Sequence, residues 1–470
     1  MSNPKRLNPL AILFNVFKLF KQASYFIITF AVVVLSDGYL NYVLLGLLGL
    51  VVLFIVLGAL SWLRFTYEVS PEQIHIKHGI FIRKDRYISR NRIQSIDLTQ
   101  GIFHRPFGLT KVDLETAGSD KNVDANLSAV TYDEGLRIQE MLKGNFDEGN
   151  NQVEETHDYF KRTANQKDLW IAGATSGSIG VILGLFGAAF SQIENIIPDT
   201  FYDATTRWLL AQAIESLIVI ALVIVIFLWL IGILGSLIKY GDFQITRYEH
   251  ELFITRGLLE KKQMTIPLKR IQAIGIEESI IRQPFGFATI YVVIAGGEIG
   301  KTAEAHTLLF PIIRKKKIDS FLENILPEYN ALPKQFNSIP KRAIGYYLIR
   351  AVAIPILLLV VTLIFFQNWW MIAAILVAIS LWMGWMRYRD AGYQINDQYL
   401  SVRFRILSKE TVLIPKRRIQ SVEWIHHFLH RKQGLAQLKV SILSKQSGRH
   451  LWVKELDEKE HNKIIKWLEN

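Results

Sequence analysis

The chain of 470 residues contains no cysteine, and this absence excludes several kinds of protein at once. Without cysteine there is no disulfide scaffold, no thiolate metal site, no cysteine nucleophile and no lipid attached to a thiol. Acidic residues are also fewer than basic ones, 42 against 54, so the net charge is +12. Only 20% of the residues are charged and 50% are hydrophobic, and the charges avoid several long apolar stretches. This pattern indicates a membrane protein with substantial aqueous parts.

Six apolar runs approach the length of about 20 residues with which a helix crosses a bilayer. They form three pairs: 17–35 with 42–63, 169–190 with 217–238, and 351–366 with 369–385. The segment that starts at Asn8-Pro9 suits a helix cap and first turn, and its polar residues share one face. We therefore expect an interfacial helix before the first span.

The basic residues predict the orientation of these spans. The three short connections between paired spans contain one basic residue, Arg207, and the other 53 lie on the opposite side. By the positive-inside rule, both termini and every large loop are cytoplasmic in a multi-pass protein of the inner (cytoplasmic) membrane. No cleavable signal peptide is evident, since the first apolar segment carries Lys18 and Lys21 and has no small-residue cleavage site.

One sequence signature occurs three times, each time after a pair of spans. Its copies are Ile-Ser-Arg-Asn-Arg-Ile-Gln at 88–94, Ile-Pro-Leu-Lys-Arg-Ile-Gln at 266–272 and Ile-Pro-Lys-Arg-Arg-Ile-Gln at 414–420. A glycine follows the last arginine of each copy after 16 residues, at Gly108, Gly286 and Gly434. The first two copies have Pro-Phe directly before this glycine, and the third does not. The equal spacing predicts three structural repeats.

Each repeat opens with two short alternating segments separated by a polar turn, which predicts a β-hairpin. The predicted strand pairs are 65–69 with 73–78, 243–246 with 251–255, and 393–396 with 399–404. Each repeat closes with an apolar pattern of helical period, at 132–142, 311–326 and 456–468. The predicted β domains are 64–145, 240–328 and 388–470, with the span-bearing segments 1–63, 168–239 and 345–387 and linkers 146–167 and 329–344.

This order of motifs resembles the membrane-anchored bacterial pleckstrin-homology-like family. It consists of a strand pair, then Ile-Pro-x-x-Arg-Ile-Gln, then Arg-Pro-Phe-Gly-Leu, and last a strand ending in Thr116-Ala117-Gly118 or Ala295-Gly296-Gly297. The resemblance covers nearly the whole chain. It implies an α+β integral membrane protein in which each helix pair is followed by a cytoplasmic pleckstrin-homology-like (PH-like) antiparallel β domain with a C-terminal helix. Such domains serve for binding and not for catalysis, but a fold of this breadth assigns no ligand.

Two motifs resemble sites of enzyme or metal chemistry. The segment 295–302 fits a relaxed phosphate loop, but the corresponding segments of the other repeats read as hairpin turns, so we expect no nucleotide. His426, His427 and His430 lie within five residues, with Glu423 as the nearby carboxylate in sequence, and a polar loop beside a membrane is the favoured interpretation. We therefore expect no catalytic residue, no cofactor and no metal.

Basic side chains cluster in the three signature turns, where they can face an anionic surface or make structural ion pairs. The candidate binding residues are Arg90, Arg92, Lys269, Arg270, Lys416, Arg417 and Arg418. For the last arginine of each copy we expect a structural ion pair. Net charge rises from −1 over 64–167 to +5 over 239–344 and +8 over 387–470, so the third domain is the candidate for anionic lipid or an acidic partner. Stacked aromatics beside the cations are lacking, so nucleic acid is not expected.

Five glycines recur at helical spacing in the third span and predict a close helix–helix contact. They are Gly173, Gly177, Gly180, Gly184 and Gly187. The prediction is a membrane scaffold or adaptor whose PH-like domains bind a protein partner, a second copy of the chain or an anionic membrane surface. The alternative is a component of a transporter or exporter in envelope defence, although ionisable residues within the spans are rare, with only Glu215 and Arg350 near helix ends.

Overall fold

The three repeats appear as a recurring order of elements in the computed structural model. It describes residues 4–36, 40–116, 125–143, 160–175, 214–295, 306–330, 332–444 and 448–469. The chain divides into two compact units, the first of residues 1–158, 165–244 and 253–265 and the second of residues 159–164, 245–252 and 266–470. The boundary between the units therefore passes through the second repeat.

The first repeat begins with a two-residue strand and two long helices, continues with six strands and ends with a helix. Its elements are β1 (Lys5–Arg6), α1 (Ala11–Ser36), α2 (Leu40–Arg64), β2 (Thr66–Val69), β3 (Gln73–His78), β4 (Lys84–Ser89), β5 (Ile93–Gln100), β6 (Leu109–Thr116), β7 (Ala125–Thr131) and α3 (Tyr132–Lys143). The strands β1 to β4 form one antiparallel sheet, and β5 to β7 pair in a second.

The second and third repeats follow the same order. The second contains β8 (Lys161–Thr163), α4 (Gln166–Ala174), α5 (Ile214–Tyr240), β9 (Gln244–Arg247), β10 (Glu251–Arg256), β11 (Lys261–Pro267), β12 (Ile271–Glu278), β13 (Phe287–Ile294), β14 (Thr307–Arg314) and α6 (Ile318–Ile325). The third contains β15 (Asn337–Ser338), α7 (Ile344–Phe365), α8 (Trp370–Asp390), β16 (Gly392–Ile395), β17 (Tyr399–Arg405), β18 (Lys409–Pro415), β19 (Ile419–Ile425), α9 (Phe428–Arg431), β20 (Leu435–Ile442), β21 (Arg449–Asp457) and α10 (Glu460–Glu469).

Four helical segments within the described residues are long and apolar enough to cross a membrane: Leu45–Arg64, Leu222–Tyr240, Lys341–Phe365 and Trp370–Asp390. They coincide with the second, fourth, fifth and sixth predicted spans. The first predicted span and the expected interfacial helix form one continuous helix, α1, which is not among the four. The third predicted span lies mostly outside the described residues. Six spans in three pairs therefore remain a prediction.

A glycine stands where the helices of each described pair approach closely. A Cβ at Gly58 of α2 would lie 2.9 Å from Val16 of α1, and a Cβ at Gly384 of α8 would lie 2.9 Å from Ala351 of α7. In the same way, Gly173 of α4 lies against α5, with Ile233 within 3.1 Å of an added Cβ. The other four members of the predicted glycine stripe lie outside the described residues.

The predicted hairpins are present, but each first sheet also has a third long strand. The segments β4, β11 and β18 mix charged and apolar residues without clear alternation, and they pair with the preceding hairpin strand or extend the sheet. The predicted helix 311–326 is shorter than expected. Its residues 311–314 end strand β14, and three lysines then form a turn before α6 begins at Ile318.

In the second unit, two repeats share one seven-stranded antiparallel sheet with the order β14-β13-β12-β18-β17-β16-β15. The connecting pair is β12 with β18, in which Glu278 lies opposite Lys409 and Ile276 opposite Thr411. In the first unit, β5 pairs with the start of β11, and there Gln100 lies opposite Lys261. The second sheet of one repeat thus continues into the first sheet of the next by edge-to-edge pairing.

The backbone conformation explains why a glycine stands 16 residues after the last arginine of each signature. Gly108, Gly286 and Gly434 have φ angles of +62°, +66° and +59°, in the left-handed region. Each ends the loop that turns the chain from the fourth to the fifth long strand of its repeat. Other residues pay a steric cost in this region, which explains why the spacing recurs.

A basic pocket at the base of the third domain as candidate functional site

A pocket of about 600 Å³ lies between the third helix pair and the third β domain. Its wall includes Tyr347 and Arg350 of α7, Arg387 of α8, and residues of β17, β18, β20 and β21. Five of the lining residues are arginine or lysine, namely Arg350, Arg387, Arg405, Arg449 and Lys454, whereas Glu410 is the single carboxylate among them. The pocket is therefore strongly basic.

Three of these cations have carboxylate partners. Arg405 is buried and its Nε donates to Asp390 at 2.6 Å, while Arg449 donates to Glu410 at 2.9 Å. Arg350 forms an ion pair with Glu455. These contacts fix the position of the guanidinium groups and neutralise part of their charge.

Arg387 and Lys454 make no ion pair with a carboxylate within the described part of the chain. Arg387 donates from Nε to the carbonyl oxygen of Ile406 at 3.0 Å, which holds its side chain at the end of α8. Burial lowers the pKa of Lys454 and the nearby charges of Arg350 and Arg387 lower it further, whereas the charge of Glu455 raises it. Arg350 and Arg387 thus repel the charged form of Lys454, and an anion in the pocket would favour that form.

The backbone beside Lys454 is strained. Glu455 has a φ angle of +56°, which is unusual for a residue other than glycine and costs about 1 kcal/mol. Its fully buried carboxylate lies beneath Arg350, and His430 Nε2 is 3.7 Å away. Burial lowers the pKa of His430. The fold thus brings Glu455 to His430, whereas Glu423 is the carboxylate nearby in sequence.

The two ends of strand β18 lie at different distances from the apolar helices. The β17–β18 turn at Ile406 contacts the end of α8 through Arg387. From there β18 runs for seven residues to the basic turn at 416–418. At about 3.3 Å per residue, this turn is roughly 23 Å from the end of α8. That distance exceeds two Debye lengths at physiological ionic strength, so the turn is remote from the surface at which the helices end.

Each predicted basic turn is a short 3₁₀ turn between two strands. Its last arginine donates to a backbone oxygen in two of the three repeats, and the structural ion pair expected there stays a prediction. Arg270 donates from Nε and Nη2 to the carbonyl oxygen of Ala295 at 3.0 and 2.8 Å. Arg418 donates to the carbonyl oxygen of Lys269 at 2.6 Å. These arginines hold turns together.

The other basic residues of the second and third turns have different neighbours. Lys269, Arg417 and Arg418 line one cleft of about 420 Å³, together with Glu249 and Glu328. Arg417 makes an exposed ion pair with Glu328 at 3.2 Å, and Lys416 lies over the ring of Trp467.

Arg90 and Arg92 form the turn of the first repeat, in the other unit. The structure thus brings together basic residues of the second and third turns only, and Glu249 and Glu328 balance much of their charge.

Sequence patterns indicate only one member of the basic pocket, Arg350, which is an ionisable residue near the end of a predicted span. Arg387 and Lys454 are separated by 67 positions and belong to a helix end and a strand that show no common motif. The one available signal was the +8 net charge of the third domain, which indicates a basic surface but not its place.

Residues 14–145, 190–329 and 349–470 each match the model of the bacterial PH domain family. The chain belongs to this family. It is also similar to the UPF0699 transmembrane protein YdbT of Bacillus subtilis (strain 168), with 35% identity over 487 residues that cover 99% of this chain and 98% of the relative. Three PH-like repeats in a membrane protein are thereby confirmed.

Proposed function

We propose that this bacterial PH domain protein is a multi-pass membrane scaffold whose third domain binds the headgroup of an anionic phospholipid. The β domains and both termini face the cytoplasm in this proposal, as the one-sided placement of basic residues indicates. The observation that carries the proposal is the pocket of about 600 Å³ that Arg350, Arg387 and Lys454 line together.

The place of the pocket favours a lipid over other anions. Arg350 of α7 directly precedes the uncharged run 351–366, and Arg387 of α8 follows the uncharged run 369–385. The pocket that they line is therefore proposed to open near the level of the phospholipid headgroups. Basic pockets between membrane helices on the cytoplasmic side are suited to phospholipid headgroups. Apolar side chains beside the cations, among them the 65% exposed Ile406, can contact the glycerol and the first acyl carbons.

The scaffold role rests on the continuous sheets. A seven-stranded sheet joins the second and third domains, and the buried ion pair of Lys409 with Glu278 closes the junction at 2.9 Å. Because breaking such a junction exposes backbone hydrogen-bonding groups and a buried charge, the two domains support each other as a rigid surface. A bound lipid would hold that surface in one position against the membrane.

The experiment compares two double variants of the full-length chain purified in mild detergent. Arg387→Gln with Lys454→Gln removes the two pocket cations that have no carboxylate partner, and Lys416→Gln with Arg417→Gln removes the same charge from the remote turn. Native mass spectrometry measures bound phosphatidylglycerol against bound phosphatidylcholine. Phosphatidylglycerol occupancy should fall at least tenfold in the pocket variant, because each basic residue contributes about 1 kcal/mol near an anionic surface.

The turn variant should retain the lipid. Equal retention of both lipids by the wild type, or an equal loss in both double variants, would overturn the lipid assignment. Inorganic phosphate is added in a separate arm, and competition by phosphate at the same concentration as the lipid would show that the pocket selects a free anion instead.

A further inference from the structure

We infer that the open edges of the first and last repeats pair with each other between two copies of this chain. In this arrangement β19 of one copy extends β4 of the next, head to tail. The inference goes beyond the lipid site and does not depend on it. It rests on an edge-to-edge strand pairing that occurs twice within the chain, between β5 and β11 and between β12 and β18. It also rests on two sheet edges, β4 and β19, that have no such pairing among the described residues.

The two internal junctions have the same register when the repeats are aligned on their signatures. In the second unit, Glu278, Glu277 and Ile276 lie opposite Lys409, Glu410 and Thr411. In the first unit, the aligned positions Gln100, Thr99 and Leu98 lie opposite Lys261, Lys262 and Gln263. One mode of pairing thus joins the second sheet of a repeat to the first sheet of the following one.

Two strands of the same kind lack such a neighbour among the described residues. The first sheet of the first repeat ends at β4, and the second sheet of the third repeat ends at β19. Five of the six residues of β4 are exposed, whereas none is exposed in its counterparts β11 and β18. Likewise, four of the seven residues of β19 are exposed and none in β12. Open edges of this kind expose backbone groups that can pair with another chain.

The shared register predicts which residues would meet. Transferred to the open edges, it places Glu423 opposite Arg86, Trp424 opposite Asp85 and Val422 opposite Tyr87. Glu423 and Arg86 are both exposed and have opposite charges, which favours a cross-strand pair. The aligned positions of the internal junctions are buried: they are Asp97 and Met264 in the first junction, and Gly275 opposite Val412 in the second.

The same two charges disfavour the pairings of an edge with its own copy that are centred on them. Two copies of β4 paired with Arg86 at the centre would bring the two arginines together, and two copies of β19 centred on Glu423 would do the same for the two glutamates. Like charges on paired strands are destabilising. The complementary edge of a second copy is the occupant that repeats the register of both internal junctions and places Glu423 opposite Arg86. Such a heterologous contact builds a ring or an open chain of copies.

Disulfide trapping tests this pairing in the full-length chain, which has no cysteine of its own. Arg86→Cys and Glu423→Cys are made singly, and the two proteins are mixed in detergent before mild oxidation. We expect a cross-linked dimer only in the mixture, and a ladder of larger species when both substitutions are in one chain. Asp85→Cys mixed with Glu423→Cys is the control, because a shift by one residue puts the two sulfur atoms on opposite faces of the sheet.

A cross-link that forms only within single chains, or equally in the control mixture, would overturn the inference. Charge reversal gives a second test that does not need oxidation. Glu423→Arg should weaken self-association about tenfold, as measured by mass photometry, because an attraction becomes a repulsion. Glu423→Arg also loses its ion pair with Lys439, so the combination with Arg86→Glu is decisive: it should restore association.

Lys463→Glu changes an exposed charge on α10 and should leave association as in the wild type. Failure of the combined variant to recover, with folding intact by circular dichroism, would contradict the predicted register.

Discussion

Asp97 should make the stability of the first unit depend on pH in the opposite direction from an ordinary salt-bridged carboxylate. It lies in β5, is 4% exposed, and accepts a hydrogen bond from the backbone N–H of Thr265 at 3.4 Å. Burial raises its pKa to about 7, and the negative charges of Glu115 and Asp113 add to this effect, whereas Lys262 opposes it. At neutral pH the carboxyl is therefore divided between its two protonation states.

The sign follows from the number of protons bound. Between about pH 4, where an unfolded aspartate titrates, and about pH 7, the folded chain binds more protons than the unfolded chain. The free energy of unfolding therefore falls as pH rises through this interval. A shift of roughly three pKa units corresponds to about 4 kcal/mol in the limit of high pH, of which about 2 to 3 kcal/mol is lost between pH 5 and pH 8.

Asp97→Asn keeps the shape of the side chain and removes the titration. The apparent melting temperature of the purified chain in detergent should fall by several degrees from pH 5 to pH 8 in the wild type and much less in this variant. Glu140→Gln, on the exposed side of α3, is the matched control and should leave the wild-type dependence unchanged. A variant at Asp97 with the full wild-type dependence would refute the reasoning.

Two further predictions concern the helices. Gly384→Leu should destabilise the chain by about 1 to 3 kcal/mol, since a Cβ there already lies 2.9 Å from Ala351 and 3.1 Å from the carbonyl oxygen of Tyr347. Gly235→Leu, with no atom of the described residues within 4 Å of an added Cβ, should have little effect on thermal stability in detergent. Cysteine introduced at Gln367 should react with an impermeant reagent in intact cells, while cysteine at Lys463 should react only after lysis. Labelling of the latter in intact cells would contradict the proposed orientation.

The repeats themselves were predictable because their signals are local. Hairpin strands alternate polar and apolar residues over a few positions, apolar helices show as long uncharged runs, and a left-handed turn requires glycine at 108, 286 and 434. Each of these signals depends on the conformation of a short stretch of chain. The sequence could therefore place most strands and helices within a few residues.

The strands β4, β11 and β18, which mix charged and apolar residues, were not predicted. The order of these residues depends on the strands that pair with them on either side, and in β11 and β18 one of those strands belongs to another repeat. Lys409 is acceptable in a strand since Glu278 of another repeat neutralises it inside the junction. The same holds for the arginines of the signature. Whether Arg270 and Arg418 bind carboxylates or carbonyl oxygens depends on which backbone segment passes beside them.

By itself the sequence determined that this is a membrane protein with three related β domains and a basic third domain. Tertiary structure alone decided that neighbouring repeats share sheets, that β4 and β19 are open edges, and that Arg350, Arg387 and Lys454 meet in one pocket. The physical reason is that pairing between distant strands uses backbone N–H and C=O groups, which every residue carries alike. Such pairing leaves no period or motif in either strand.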